Sequence, residues 1–152
     1  ASCDAASVVR GRVRYWSPLA EDQGRRMLVD VPRLEFLVPV TADDLADTVD
    51  VLIDNVFAHT PEGIGFRVSL QPARSGEEPI ATGVTLIIED DGPGIVETRP
   101  RLRTGSTGLG LDIARRTANG CGGSLEIGPT GRVGSNGIGT RVQLNLPLIA
   151  RL

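Results

Sequence analysis

Three clusters in this 152-residue chain have the residue types and spacing that chemistry requires. Asn55 lies in the run from Thr41 to Gly63, with Asp54 before it and His59 one helical turn after it. A helix-interior Asn gains nothing from propensity. Its presence calls for a function or for a solvated, locally bonded side chain. The second cluster, Asp90-Asp91-Gly92-Pro93-Gly94-Ile95, follows the apolar run Leu86-Ile87-Ile88. It sets a carboxylate at a strand end, then glycines that allow a sharp turn and close backbone approach to a ligand. A carboxylate carried into a pocket must be paired or hydrogen-bonded.

The third cluster is Gly105-Ser106-Thr107-Gly108-Leu109-Gly110-Leu111. If a helix opens here, the free N–H groups of Thr107 to Leu111 and the helix dipole suit phosphate oxygens. Tight helix packing would use the same glycines. The motif is not a Walker loop, because no Lys follows the last glycine and the chain contains no lysine. Positive charge beside an anion must come from a metal ion or from arginines such as Arg101 and Arg103.

The elements that position these clusters can be read from spacing. Thr41 with Asp44 three residues on has the form of a capping box, Asp replacing the usual Glu or Gln. Leu45, Val49, Leu52, Val56 and Phe57 then recur on one helix face, and Pro61 and Gly63 close the helix. Before it, Asp4 to Gln23 has helical spacing in Val8 or Val9, Val13, Trp16 and Leu19 or Ala20, and Gly24 is a natural stop. Pro18 implies a kink or a break into two pieces. Strands are expected over Arg26 to Val31 and Leu34 to Pro39, then over Gly65 to Gln71 and Thr82 to Glu89. The charged stretch Pro72 to Pro79 reads as a hairpin loop, and residues 92–110, rich in Gly, Pro and Arg, as a longer loop. A helix from Ser106 or Thr107 to about Asn119 is expected to turn Leu109, Ile113, Ala114 and Thr117 inward, with Gly120, Gly122 and Gly123 ending it. Ser124 to Ile127 and Gly139 to Leu146 are the last strands. The pattern predicts one α+β domain, a two-layer sandwich with three main helices on one face of a mixed, mostly antiparallel sheet.

Composition narrows the partners. At 152 residues the chain is sized for one domain with a real core, and 40% apolar with 23% charged residues is ordinary globular composition. A net charge of −3 argues against nucleic acid as the main partner. No apolar run approaches the ~20 residues of a membrane span, and no signal peptide is expected at the N-terminus. Any membrane anchor is expected outside this segment. Cys3 and Cys121 lack metal-ligand spacing and read as free thiols in a reducing cytoplasm.

Taken in order, an Asn helix, Asp-x-Gly-x-Gly after an apolar strand, and Gly-x-x-Gly-x-Gly opening a helix resemble the catalytic, ATP-binding domain of bacterial sensor histidine kinases. That group shares a superfamily with the ATPase domains of type II topoisomerases, ninety-kilodalton heat-shock chaperones and mismatch-repair proteins. The resemblance covers nearly the whole chain and implies the Bergerat ATP-binding fold, with an N-terminal helix and strand over 1–40 and the nucleotide-binding core over 41–152. It implies that Asp90 accepts a hydrogen bond from the adenine amine, that Gly92, Gly94 and Ile95 shape the turn beside the base, and that His59 lines the nucleotide. Gly105, Thr107, Gly108, Leu109, Gly110 and Leu111 take the phosphate-facing positions, and Asn55 supplies an oxygen to Mg²⁺. The implied partners are a histidine-bearing dimerisation domain, absent from this chain, and a response-regulator receiver domain.

The chain departs from the group at three places. Val51 stands where many sensor kinases carry a second Asn, Ala58 where many carry a basic residue, and Val96 to Gly105 is short and lacks the usual aromatic motif. Three activities fit the resemblance: histidine phosphorylation, an anti-sigma-factor kinase or nucleotide-binding partner module, and a topoisomerase- or chaperone-type ATPase. The last needs a water-orienting carboxylate where this chain has Val51. Asp50 and Asp47 are displaced from that position around and along the helix.

Overall fold

The computed structural model describes residues 1–77, 79–92, 108–130 and 139–149. Its first helix, α1, spans Ala5–Asp22 and is capped by Asp4, whose Oδ1 accepts from Ala6 N at 3.1 Å. The same oxygen accepts from Phe36 N at 2.9 Å. One carboxylate thus caps the helix and ties it to the strand pair β1 (Cys3–Asp4) and β3 (Leu37–Val38), which run antiparallel. The helix continues through Pro18 rather than breaking there. Pro18 and Arg14 are both exposed, so the carbonyl that loses its i+4 donor can turn to solvent. Gly24 ends the helix with φ +64°. Its N–H donates to Glu21 O and that of Arg25 to Ala20 O, the paired bonds of a Schellman motif.

The second helix, α2, spans Ala42–His59. Thr41 Oγ1 accepts from Asp44 N at 3.0 Å, the forward half of the expected capping box. Leu45, Val49, Leu52 and Val56 are buried, as the spacing requires, Ile53 is buried beside them, and Phe57 is half-buried. The third helix, α3, spans Gly108–Gly120. Its buried face is Leu111, Ala114 and Ala118, and Ile113 is 44% exposed. The expectation that Ile113 points inward is therefore corrected, and Thr117 is only half-buried. Alanines at i+3 and i+7 from Leu111 let α3 approach closely, whereas Ile113 lies roughly 200° around the helix from Leu111.

A five-stranded sheet carries these helices. Its strands are β2 (Met27–Asp30), β4 (Phe66–Ala73), β5 (Gly83–Asp90), β6 (Ser124–Pro129) and β7 (Thr140–Pro147), in the order β2-β4-β5-β7-β6. β2 pairs parallel with β4, and the other neighbours are antiparallel. β4 runs on through Pro72, which was expected in the hairpin loop. β2 ends opposite Ser69, so beyond it the missing N–H of Pro72 faces no neighbouring strand on that side. Phe66, Val68, Leu70, Val84, Leu86, Ile88, Val142, Leu144 and Leu146 alternate onto the helix side and join all three helices in one core. On the opposite face Asn145 accepts from Thr85 Oγ1 at 3.0 Å and donates to Ser124 Oγ at 2.9 Å, and Ile87 is buried on that face too. A mixed sheet with its main core and its helices on one face is an α+β sandwich.

Candidate nucleotide-binding site

The site grows from the end of β5. Asp90 is its last residue and is only 5% exposed. Its Oδ1 accepts from two backbone amides, Gly92 N at 3.0 Å and Thr140 N at 3.2 Å. Among the described residues Oδ2 is left to accept from something else. Burial pushes the Asp90 carboxyl above its ordinary value, opposed by those two amide bonds and by the Arg25 charge. The carboxylate is thus fixed in orientation through Oδ1, with Oδ2 unengaged among the described residues, as suits a group that meets a polar ligand atom.

Two glycines make this geometry possible. A Cβ at Gly92 would lie 2.7 Å from Thr60 Cγ2, so the first glycine of the motif is seated against the end of α2. A Cβ at Gly139 would overlap the Asp90 carbonyl oxygen, so only glycine lets β7 start this close to β5. Thr60 is the C-cap of α2 and 6% exposed. Its hydroxyl donates to Val56 O and accepts from Arg25 Nη1, each at 2.6 Å. Arg25, 5% exposed, also donates to Ile64 O, Thr60 O and Gln23 Oε1, and its guanidinium lies 4.6 Å from the Phe57 ring centroid. Burial lowers its pKa while Glu62 and Asp90 raise it. A guanidinium remains charged under such opposing shifts.

α2 is touched by both glycine motifs. Gly92 meets it at Thr60, and a Cβ at Gly110 would stand 3.3 Å from Val51 Cγ1. Gly110 therefore sits at the α2–α3 contact, which does not bear on a phosphate-facing role for its backbone amide. Asn55 lies between these contacts, in a stretch from Val51 to Thr60 that runs roughly 13 Å along the helix axis. Asn55 and His59 are both half-buried, and among the described residues the Asn55 amide makes no hydrogen bond. Gly108 opens α3 and Leu111 is buried in its first turn, so the first N–H groups of α3 lie beside Val51. Leu109 belongs to the same turn. Gly94, Ile95, Gly105 and Thr107, with Arg101 and Arg103, lie outside the described residues.

Asp50 is turned elsewhere. It accepts from Arg12 Nε at 2.7 Å and Nη2 at 2.9 Å and from Trp16 Nε1 at 2.9 Å, which commits it to the α1–α2 contact. Sequence reasoning missed Arg25, Thr60, Gly139 and Thr140 as parts of the site. The only local hint was a Thr directly after His59, because the contacts joining these residues span 35 to 50 positions.

Comparison with known proteins identifies the fold and the family. The fold matches a structure of the mycobacterial sensor histidine kinase MprB at TM-score 0.77 and 23% identity, covering 99% of both chains. It matches the catalytic domain of histidine kinase ThkA at TM-score 0.76 and 14% identity, over 99% of this chain and 98% of that one. It also matches the ATP-binding domain of PrrB from Mycobacterium tuberculosis at 0.69 and 21%, over 98% and 97%. These likenesses establish the Bergerat fold. The family model described as histidine kinase-, DNA gyrase B- and HSP90-like ATPase matches residues 41–150, from the N-cap of α2 past the last strand. That match covers well over half of the sequence, and the chain belongs to the histidine kinase-, DNA gyrase B- and HSP90-like ATPases.

Proposed function

We propose that this domain binds Mg²⁺·ATP and presents the γ-phosphate to a histidine on a separate dimerisation domain, as in a two-component sensor kinase. The observation that carries the reading is Asp90, whose Oδ1 is held by two backbone amides while, among the described residues, Oδ2 is left to accept. An exocyclic amine such as that of adenine supplies the donor. Base at Asp90 and phosphates toward the first turn of α3 would place the nucleotide along the α2 stretch that carries His59 and Asn55.

Magnesium fits this donor set in one way. Among the described residues no cluster of three His, Cys, Asp or Glu side chains could hold an ion, so a cage built of protein alone is not available there. Mg²⁺ commonly takes few protein oxygens and completes its shell with phosphates and water. Asn55, with no other described hydrogen bond, is the residue that would hold it, and the ion would neutralise phosphate charge. The chain's own residues position: Asp90 orients the base, α3 its amides, α2 the carboxamide. Positioning and charge neutralisation are most of what phosphoryl transfer asks of a protein. The incoming imidazole nitrogen forms the P–N bond as the bond to the ADP oxygen breaks, and the imidazole proton is lost to solvent.

Two features favour transfer over hydrolysis in this reading. Val51 has no carboxylate to offer an attacking water, and that of Asp50 is held by Arg12 and Trp16. Incubation with γ-labelled ATP tests the reading. Acid-labile label is expected on an added histidine-bearing dimerisation domain from the same protein, and none on this chain, whose single histidine is His59 on the nucleotide-binding helix. Label on the isolated chain that disappears in His59→Gln, or rapid ATP turnover without a partner, would overturn it. A receiver domain is the expected next acceptor.

A further inference from the structure

We infer that Arg25, outside every motif of the nucleotide site, is the positioning residue that locks the end of α2 against the Asp90–Gly92 turn. The inference rests on the proposed nucleotide site and adds a residue to it.

The argument begins with what a buried guanidinium costs. A charge at 5% exposure is tolerated only when its donors are satisfied. Arg25 directs four N–H groups at acceptors: Gln23 Oε1 at 2.8 Å, Thr60 Oγ1 at 2.6 Å, and the carbonyls of Thr60 and Ile64 at 3.0 Å each. Three of those bonds reach the segment that leaves α2, and Phe57 stacks beneath the guanidinium from the last turn of the same helix. The fork therefore fixes the C-terminus of α2, where His59 sits and toward which Asn55 leads.

The second half of the contact runs from Thr60. Its hydroxyl is engaged by Arg25 and Val56 O, which fixes χ1 and aims Cγ2 at Gly92. Gly92 N in turn holds Asp90 Oδ1. The segments on either side are tied to the same place: Gly63 N donates to Gln23 O, Phe66 N to Arg26 O, and Asp91 N to Gly65 O. Arg25 is the side chain at the centre of this set, joining the turn after α1, the α2–β4 connection and the end of β5. A lysine could keep the charge over Phe57 but not the planar fork.

The test uses the 152-residue chain, with ADP as probe by calorimetry and amide hydrogen exchange by NMR. Arg25→Lys and Arg25→Gln are each expected to weaken ADP binding by at least about tenfold, the scale of one lost charge-assisted hydrogen bond. Exchange at Gly92 and Thr140 is expected to quicken by a similar factor while the amides of β6, remote from Arg25, keep their protection. Thr60→Val, which keeps the methyl on Gly92 and removes the acceptor, should reproduce both effects. If Arg25→Gln fails to fold, Thr60→Val and Arg25→Lys decide by the same criterion. Unchanged ADP affinity in folded variants, or exchange that quickens equally across the whole sheet, would overturn the inference. Failure of the wild-type chain to bind ADP would instead count against the proposed function, and the exchange at Gly92 would still report on Arg25.

Discussion

In the proposed site Asp90 is the carboxylate that meets the base, and its two oxygens are unequal. Because Oδ1 holds the turn through Gly92 and Thr140, an Asn at this position can keep those two bonds while placing an NH₂ group where Oδ2 was. Asp90→Asn is therefore expected to stay folded and lose about 1–3 kcal/mol of ATP affinity, measured by calorimetry, because donor would face donor. The raised pKa of Asp90 gives two opposite pH effects. A carboxyl protonated more readily in the folded state favours folding below its ordinary value of 3.8, and that increment is lost as pH rises through the elevated folded value. Nucleotide binding needs the ionised form, so affinity should fall as pH is lowered into the same window, and Asp90→Asn should flatten that limb. Asn55 calls for a different signature. Asn55→Ala should weaken ATP binding with Mg²⁺ present and leave metal-free ADP binding near wild type. Equal losses with and without the ion would assign Asn55 to the nucleotide or to the helix.

At the level of elements, α2 is held on one side by α1 and on the other by α3. Asp50 receives three hydrogen bonds from Arg12 and Trp16, and Trp16 continues into ring contacts with Phe57 at 5.2 Å and then Phe66 at 5.7 Å. The Arg12–Asp50 pair is partly exposed, 26% and 29%, which screens its charge. Asp50→Ala should accordingly lower stability to urea by only about 1–2 kcal/mol, mostly through the hydrogen bonds. ATP affinity of the folded fraction should be unaffected; a large drop in affinity would mean that Asp50 reaches the ligand. The start of β7 is less forgiving. Gly139→Ala forces a Cβ onto the Asp90 carbonyl, so the strand must shift. A loss of about 1–3 kcal/mol in the same urea experiment is expected, with weaker nucleotide binding because Thr140 N moves with it.

For the molecule as a whole, the site is built from segments that only the complete fold brings together: the turn after α1, the end of α2, the end of β5 and the start of β7. A ligand bound there should stabilise the native state by mass action, by about 2.7 kcal/mol at a hundredfold excess over Kd. For a domain of this size that corresponds to roughly 5–10 °C in Tm. Thermal unfolding with and without ATP and Mg²⁺ checks it, and the shift should collapse in Asp90→Asn. Among the described residues no helix is long and apolar enough to cross a membrane.

The sequence alone determined whatever depends on neighbours along the chain. Thr41 as a cap, the buried stripe Leu45–Val49–Leu52–Val56, the Gly24 stop and the alternating strands follow from local geometry, and the order of the three motifs identified the family. Where local rules met a tertiary choice, spacing was ambiguous. Ile113 and Ala114 are both apolar, and only packing against α2 and β6 selected the alanine face of α3. Pro72 could extend a strand only because β2 stops opposite Ser69. Spacing alone did not show that Gly110 would meet Val51 of α2; that close approach belongs to the folded chain. The support of the site was illegible for the same reason. Arg25 and Thr60 are 35 residues apart, and Asp90 and Thr140 are 50 apart. Nothing periodic links such pairs; burial of a charge and close approach of two backbones are properties of the folded chain, and they decided which residues hold Asp90 in place.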